Sequence, residues 1–431
     1  MFFIIMIFCL FLIFLLVGMP VAFALGIPLV VYLLMNWGTI PVAFMANSMV
    51  SSQISFTLLA LPAFLLSGKM MNTCGVTERL FDFAIAVVGR LRGGLAHANC
   101  LASMLFASMS GTAVGDAGGL GAIEMDMMNK AGYRTDFAAG VTAASSILGP
   151  IIPPSAAMVL LGSLSGISIG ALFMGGLVPG IILGLALMVS IYLRSIFTEE
   201  GRNWPVERVP WRQVLKTIPP AFFPMLSPVI ILGGITLGIV TPTEAAVLAI
   251  DYSLILGLCY RKVTFKSLWE TLKATVETTG VFLFIMAVAG FFTWVITSQG
   301  LPQLLQESLS HIYSLSPLVV MFILSVILLV IGCFLDTSAA CILVTPVLMP
   351  VITKLGIDPI YFGVIMIVSL MIGIITPPFG ICLFVLSDVA GISVKRVTNE
   401  AVRYIPAMVI ILILMIVFPQ IVTWIPHTLL K

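Results

Sequence analysis

Charged residues are absent from seven long runs of the chain: 1–68, 137–193, 217–243, 278–306, 308–335, 359–387 and 404–430. A helix needs about 20 mostly apolar residues to cross a bilayer, so each run holds at least one span. Apolar positions in the runs are continuous, without the two-residue alternation of a barrel strand. The pattern predicts spans near 1–17, 19–36, 53–73, 137–167, 170–193, 217–240, 242–260, 274–298, 359–392 and 404–425. Two apolar segments remain, about 95–130 and 316–354. Each has room for two shorter helices around a polar break.

Composition agrees with an all-α polytopic membrane protein. Of 431 residues, 60% are apolar and 9% charged, against about 25% charged in a soluble domain. Mean hydropathy is +1.20. This excludes a soluble enzyme and a disordered chain. A net charge of +2, from 20 basic and 18 acidic residues, gives no bulk attraction to nucleic acid. Cys9, Cys74, Cys100, Cys259, Cys333, Cys341 and Cys382 form no CxxC and read as small packing residues. His97, His311 and His427 are far apart and no HExxH occurs, so no transition-metal site and no organic cofactor is expected. The N-terminus is apolar from Phe2 without a basic region and reads as a first span rather than a cleaved signal. The longest polar stretch, roughly Arg194 to Lys216, reads as a short loop with an amphipathic segment.

Basic residues in short loops set the orientation. Arg90 and Arg92, the Arg194–Lys216 loop, the Arg261–Lys273 stretch, and Lys395, Arg396 and Arg403 mark cytoplasmic turns. Segment 95–130 has basic residues at both ends, so it enters and leaves on the cytoplasmic side. Segment 316–354 follows an outward span and precedes an inward one, so both its ends lie outside. Two re-entrant hairpins inserted from opposite faces follow. Ten full spans put both termini on the periplasmic side of a bacterial or archaeal inner membrane.

The halves resemble each other at an offset of 224–225 residues. Gly149-Pro150-Ile151-Ile152-Pro153-Pro154 matches Gly373-Ile374-Ile375-Thr376-Pro377-Pro378, and Gly166-Ile167-Ser168 matches Gly391-Ile392-Ser393. Asn72-Thr73-Cys74-Gly75 matches Thr297-Ser298-Gln299-Gly300, and Gly111-Thr112-Ala113 matches Asp336-Thr337-Ser338. Shared span spacing is the plainer explanation of any one match; four in order point to a repeat. The expected organisation is one integral membrane subunit over 1–431: a first repeat at 53–195, a cytoplasmic loop with connecting scaffold helices at 196–273, and a second, inverted repeat at 274–425. Inverted repeats with broken helices are the architecture of secondary transporters.

The breaks carry the chemistry. Proline removes an N–H and clashes with the carbonyl one turn back. Carbonyls near Gly149–Pro153 and Gly373–Pro377 are therefore freed, and freed carbonyls are tolerated only inside the protein. At the hairpin tips, Ser108, Ser110, Gly111 and Thr112 in the first and Gly332, Asp336, Thr337 and Ser338 in the second supply hard oxygen ligands suited to Na⁺. Asp116 and Asp336 are the carboxylates nearest the tips; an intramembrane carboxylate is a functional candidate by default, for substrate or coupling, against hydrogen bonding to a helix end as the plainer role. Glu124 and Asp126 lie nearer the cytoplasmic end and are left out. Pro153 and Pro377 join the substrate-or-coupling set. Gly238 to Glu244 reads as a helix start, with Thr241 as N-cap, Pro242 in the first turn and Glu244 behind it.

At these motifs the sequence resembles the large membrane subunit of TRAP (tripartite ATP-independent periplasmic) transporters. The likeness rests on Gly18 to Gly26, Ser108 to Asp116, Gly149 to Pro154, Thr241 to Ala246 and Gly373 to Pro378, and spans nearly the whole chain. The resemblance implies an elevator-type, Na⁺-driven importer of an organic acid. It implies two partners: a small four-helix membrane subunit, expected as a separate polypeptide because the chain begins at its first span, and a periplasmic substrate-binding protein. The second sodium site is implied at Gly332, Gly373, Thr376 and Phe379. Subtracting 224 gives Ser108, Gly149, Ile152 and Ser155 for the first. Sialic acid or a C4-dicarboxylate is the favoured substrate. Thr297, Ser298 and Thr337 are candidate carboxylate contacts, and no basic residue is read inside the membrane core.

A stand-alone dicarboxylate or citrate carrier of the same wider superfamily is the alternative. An intramembrane protease is disfavoured, because Gly115-Asp116 has Ala113 where GxGD needs glycine. A passive channel fits inverted halves less well than alternating access does, and no Walker motif supports a pump. The orientation is testable at residue 202. Arg202→Cys, in a background without the native cysteines, should react with an impermeant maleimide only from the cytoplasm; labelling of intact cells from outside would overturn the topology.

Overall fold

A computed structural model of the chain describes residues 2–206, 210–301 and 316–429, and every regular element in them is helical. Seven of the described helices are long and apolar enough to cross a membrane, or eight if the pair Val42–Ser51 and Phe56–Thr73, bent by 60°, counts as one. The first two expected spans are helices Phe2–Leu16 and Val21–Met35. Ile169–Phe197, Trp211–Thr236, Pro242–Cys259 and Phe265–Ser298 match the next unbroken ones. Proline sets several starts. Pro242, Pro317 and Pro359 stand in first turns, where a missing N–H has no intrahelical partner to lose. Thr241 and Glu244 close the expected capping box: Thr241 N–H donates to Glu244 Oε2 at 2.7 Å, and Glu244 N–H to Thr241 Oγ1 at 3.3 Å.

The expected boundaries need four corrections. Val42–Ser51 is a short helix that the span pattern left unassigned, being too short to read as a crossing. Val76–Val88 is a second one, hidden because Glu78, Arg79 and Asp82 interrupt its apolar face. The span expected at 404–425 divides into Ile405–Val417 and Gln420–Leu429. Pro419 forces the preceding Phe418 out of the helical region, to φ −120° and ψ 79°. The first hairpin has three pieces rather than two: Gly94–Ser110, Ala113–Gly118 and Leu120–Lys130. The second is Pro317–Phe334 and Thr337–Lys354, 18 residues each, or about 27 Å per arm.

Both Gly/Pro motifs interrupt helices. Thr135–Ser146 stops before the first and Ala156–Ser165 resumes after it; Pro359–Gly373 and Ile381–Ala390 flank the second. The approach helices are buried all round, over residues 136–146 and 361–373. A helix with no exposed face belongs at the centre of a fold. The resuming halves pack reciprocally: Ala156–Ser165 lies on Thr337–Lys354 of the second hairpin, and Ile381–Ala390 on Ala113–Gly118 of the first. Gly166 and Gly391, which end the two resuming halves, both have positive φ, 73° and 63°. Gly75 and Gly300 match likewise, at 71° and 73°. Large apolar side chains such as Leu12, Val229, Ile255 and Val326 are exposed on the outside, as a lipid-facing surface requires.

A charge cluster ties three segments together at the end rich in basic residues. Arg194 Nη1 meets Glu400 Oε2 at 2.6 Å, with only 8% and 4% of the two side chains exposed. Arg194 also meets Glu200 at 3.2 Å, Arg134 pairs with Asp136, and Arg396 reaches Asp136 at 3.5 Å. Burial opposes ionisation of Asp136. The hydrogen bonds and charge of Arg134, the Phe137 N–H and Arg396 outweigh it and hold the carboxyl below its usual range. Removing one partner of a buried pair costs about 3–5 kcal/mol. Arg194→Met should therefore lower the apparent Tm in detergent by several degrees, with Arg194→Met/Glu400→Leu recovering much of the loss. An unchanged Tm in the single variant would show that the pair contributes nothing.

Candidate functional site

Each break is closed by backbone and hydroxyl groups of its own chain. In the first, Ser155 Oγ donates to Pro150 O at 2.6 Å and accepts from Met158 N at 3.2 Å, so one hydroxyl satisfies a freed carbonyl and caps the next helix. Ala156 N donates to Gly111 O at the first hairpin tip, 3.3 Å away. In the second, Thr376 N donates to Gly373 O at 2.8 Å and Thr376 Oγ1 to Ile372 O at 2.7 Å. Gly380 N donates to Cys333 O at the second hairpin tip, 3.0 Å away. The donors of the two tip-to-break bonds, Ala156 and Gly380, lie 224 residues apart, and their acceptors lie within a few residues of matching positions at the tips. The Pro153–Pro154 and Pro377–Pro378 bonds are both cis.

Glycines permit this closeness. A Cβ on Gly373 would lie 2.4 Å from Leu329 O, and one on Gly332 2.4 Å from Leu370 O. The expected second-site residues Gly332, Gly373, Thr376 and Phe379 thus converge on one crossing, where the Phe379 ring sits 5.4 Å from that of Phe334. A Cβ on Gly149 would lie 2.4 Å from Asp116 Oδ2 and 3.3 Å from Thr112 O. The first break is buried from Gly149 to Ser155, including Ile152 and Pro153, whereas Pro377 is exposed. The Ser108 and Ser110 backbone ends helix Gly94–Ser110; their side chains lie outside the described residues. A carbonyl oxygen has two lone pairs, so Gly373 O keeps acceptor capacity beside its Thr376 bond.

Both hairpin tips line one cavity of about 650 Å³. Gly111 to Gly115 form one wall and Asp336 to Ala339 a second, with Pro150 and Ile381 from the broken helices behind them. The third wall is Leu65 and Lys69 of helix Ala60–Thr73, with Thr278, Phe282 and Ile285 of Phe265–Ser298. Asp336 faces the cavity and also caps Thr337–Lys354, accepting from Ser338 N at 3.0 Å. Thr337 and Ser338 line the same wall. Thr297 and Ser298 do not reach it: they end Phe265–Ser298, about 28 Å along the axis from Thr278.

Two residues passed over in the sequence are placed by the structure: Lys69 in the cavity wall and Glu124 buried near Asp116. The reading that no basic residue enters the membrane core is corrected by Lys69, which lines the cavity. Lys69 is the single charged residue within the span expected at 53–73, and that is the signal the sequence offers. Glu124, left out with Asp126, is wholly buried and feels the charge of Asp116. Asp126 instead pairs on the surface with Lys130. Helical register separates the two acids, which sequence distance could not do.

Comparison with known proteins agrees with this geometry. Residues 8–421 match the family model described as tripartite ATP-independent periplasmic transporter, DctM component. The chain is 42% identical over 412 residues to the sialic acid TRAP transporter large permease protein SiaM of Vibrio cholerae, covering 95% of each chain. It is 37% identical over 437 residues to the C4-dicarboxylate TRAP transporter large permease protein DctM of the same organism, covering 96% of this chain and 95% of that one. In fold it is similar to the crystal structure of the Alcanivorax borkumensis YdaH transporter, with a TM-score of 0.62 at 14% identity over 87% of both chains.

The glycine crossing is testable by adding one methyl group. Gly332→Ala and Gly373→Ala each put a Cβ against backbone, which no rotamer change relieves. Both should lower the detergent-extracted yield and apparent Tm sharply. Gly391→Ala is strained only by its φ of 63° and should cost about 1 kcal/mol or a little more. Equal behaviour of all three would refute the close crossing.

Proposed function

The chain belongs to the DctM-component family of TRAP transporters, and from that premise we propose a Na⁺-coupled importer of an organic acid working by an elevator movement. It is the large permease subunit of such a system. The observation that carries the reading is the cavity at which both hairpin tips and both broken helices meet. Oxygens left with spare lone pairs at a break suit a hard monovalent cation. One Na⁺ is assigned to Gly332, Gly373, Thr376 and Phe379, and one to Ser108, Ser110, Gly149, Ile152 and Ser155. Thr337 and Ser338, at the start of Thr337–Lys354, face the substrate, since a helix start favours an anion.

The halves are read as inverted repeats. The reciprocal packing of the resuming half-helices, the matched tip-to-break bonds and the paired positive-φ glycines support this. In this reading the hairpins and broken helices travel together, while Ala60–Thr73 and the two helices packed on it, Pro242–Cys259 and Phe265–Ser298, stay with the membrane. The names of the relatives favour sialic acid or a C4-dicarboxylate as substrate. The partners are a separate small membrane subunit and a periplasmic binding protein that delivers the acid.

Proteoliposomes holding the complex should accumulate N-acetylneuraminate or succinate only with an inward Na⁺ gradient, the small subunit and the binding protein. Transport undiminished without Na⁺ would remove the coupling. Thr376→Ala and Asp336→Asn should each reduce uptake at least tenfold at unchanged membrane levels; wild-type uptake by both would remove the site assignment.

A further inference from the structure

Lys69 is a cation set in the wall of an otherwise largely apolar cavity. It is half-buried on helix Ala60–Thr73, four residues before its end. Its Nζ donates to Thr278 Oγ1 at 2.7 Å and to Ala274 O, both on Phe265–Ser298. An ammonium has three N–H donors. Two are fixed to the neighbouring helix, and one remains for the cavity. Among the described residues that line the cavity, Lys69 is the sole basic one.

Among the described residues no carboxylate forms an ion pair with Lys69. Glu277, next to Thr278 on Phe265–Ser298, attracts Lys69, but it is two-thirds exposed, lies 4.0 Å from Lys273, and is absent from the cavity wall. Asp336 faces the cavity from the second hairpin, and its Oδ2 is committed to Ser338 N. A partly desolvated cation with a donor to spare favours an anionic ligand, because a charge-assisted hydrogen bond there is stronger than in water.

We infer that Lys69 binds the substrate carboxylate from the fixed side of the cavity, and only while the hairpins face the cytoplasm. This rests on the transport reading above. The tips carry the acid, whereas Lys69 is tied to Phe265–Ser298 and stays behind when they move. The end of the molecule it occupies is the basic one: Thr73 Oγ1 bonds Thr271 Oγ1 at 2.8 Å, and Gly75 lies beside the Lys262 side chain. Lys69 therefore sets affinity on the cytoplasmic side more than on the outside. It is a positioning and specificity residue for acids at the release step, and its hydrogen bond to Thr278 presets the ammonium.

The test uses the reconstituted complex with its small subunit and binding protein. The probe is radiolabelled N-acetylneuraminate or succinate, whichever the wild type accumulates. Two half-saturation values are measured: one for acid presented outside on the binding protein, one for acid loaded inside and exchanged outward. Lys69→Met should raise the internal value relative to the external one by about tenfold or more, and Lys69→Arg should restore most of the ratio. If Lys69→Met fails to reach the membrane, Lys69→Gln, which keeps a donor for Thr278 without the charge, decides the same comparison. An unchanged ratio in an active charge-free variant overturns the inference and leaves the transport reading standing. A wild-type complex that accumulates neither acid overturns the transport reading and the anchor with it.

Discussion

A polar backbone group facing hydrocarbon is too costly to leave unpaired, and the rest of this molecule is arranged around that constraint. Two proline-rich interruptions release carbonyls at the centre of the fold. Each is answered from two directions. Within the break, Ser155 or Thr376 turns its hydroxyl back onto a carbonyl; across the gap, a hairpin tip accepts one N–H, from Ala156 or Gly380. The hairpins are thus the complement that lets each break exist. Neither the tip nor the break would be stable in lipid alone.

The same constraint fixes the side chains around it. Backbone must touch backbone, so Gly332 and Gly373 carry no Cβ where their helices cross. The helices that lead to the breaks have no lipid-facing side, so Thr135–Ser146 and Pro359–Gly373 are buried on every face. The cavity beside them is largely apolar, and side-chain charge in it is confined to Asp336 and Lys69 among the described lining residues. A cation held by such a site relies on carbonyl and hydroxyl dipoles already in place, with little reorganisation needed on binding.

Much of this was legible in the sequence because the signals are local. Gly/Pro clusters at one offset located both breaks, and charge-free runs located the long helices. Thr241-Pro242-Thr243-Glu244 specified a helix start that the structure repeats bond for bond. The failures are those of information that is not local. Thr297 and Ser298 matched Asn72 and Thr73 in register, yet the length of Phe265–Ser298 carries them away from the cavity. Glu124 and Asp126 are two residues apart, and only the packing of their helix decides that one is buried and the other wet. Lys69 lines the cavity because Phe265–Ser298 passes beside it and takes two of its donors, a contact between residues 205 and 209 positions apart.

Directional bonds and apolar contact are distributed differently over the molecule. At the basic end, Arg194, Glu400, Arg134 and Asp136 bind the first broken helix to segments near residues 200 and 400, and a buried network of this kind resists being pulled apart. Lys69 and Thr73 bind Ala60–Thr73 to Phe265–Ser298 in the same way. Between these two bodies the contact is different in kind. Phe8, Phe11 and Phe292 face Leu343, Val344 and Val347 of the second hairpin across an apolar crevice of about 470 Å³. Apolar contact is non-directional and scales with area, so one surface can slide along the other with little change in energy as long as the buried area is kept. Polar bonds thus hold each cluster together, and the contact between them is apolar.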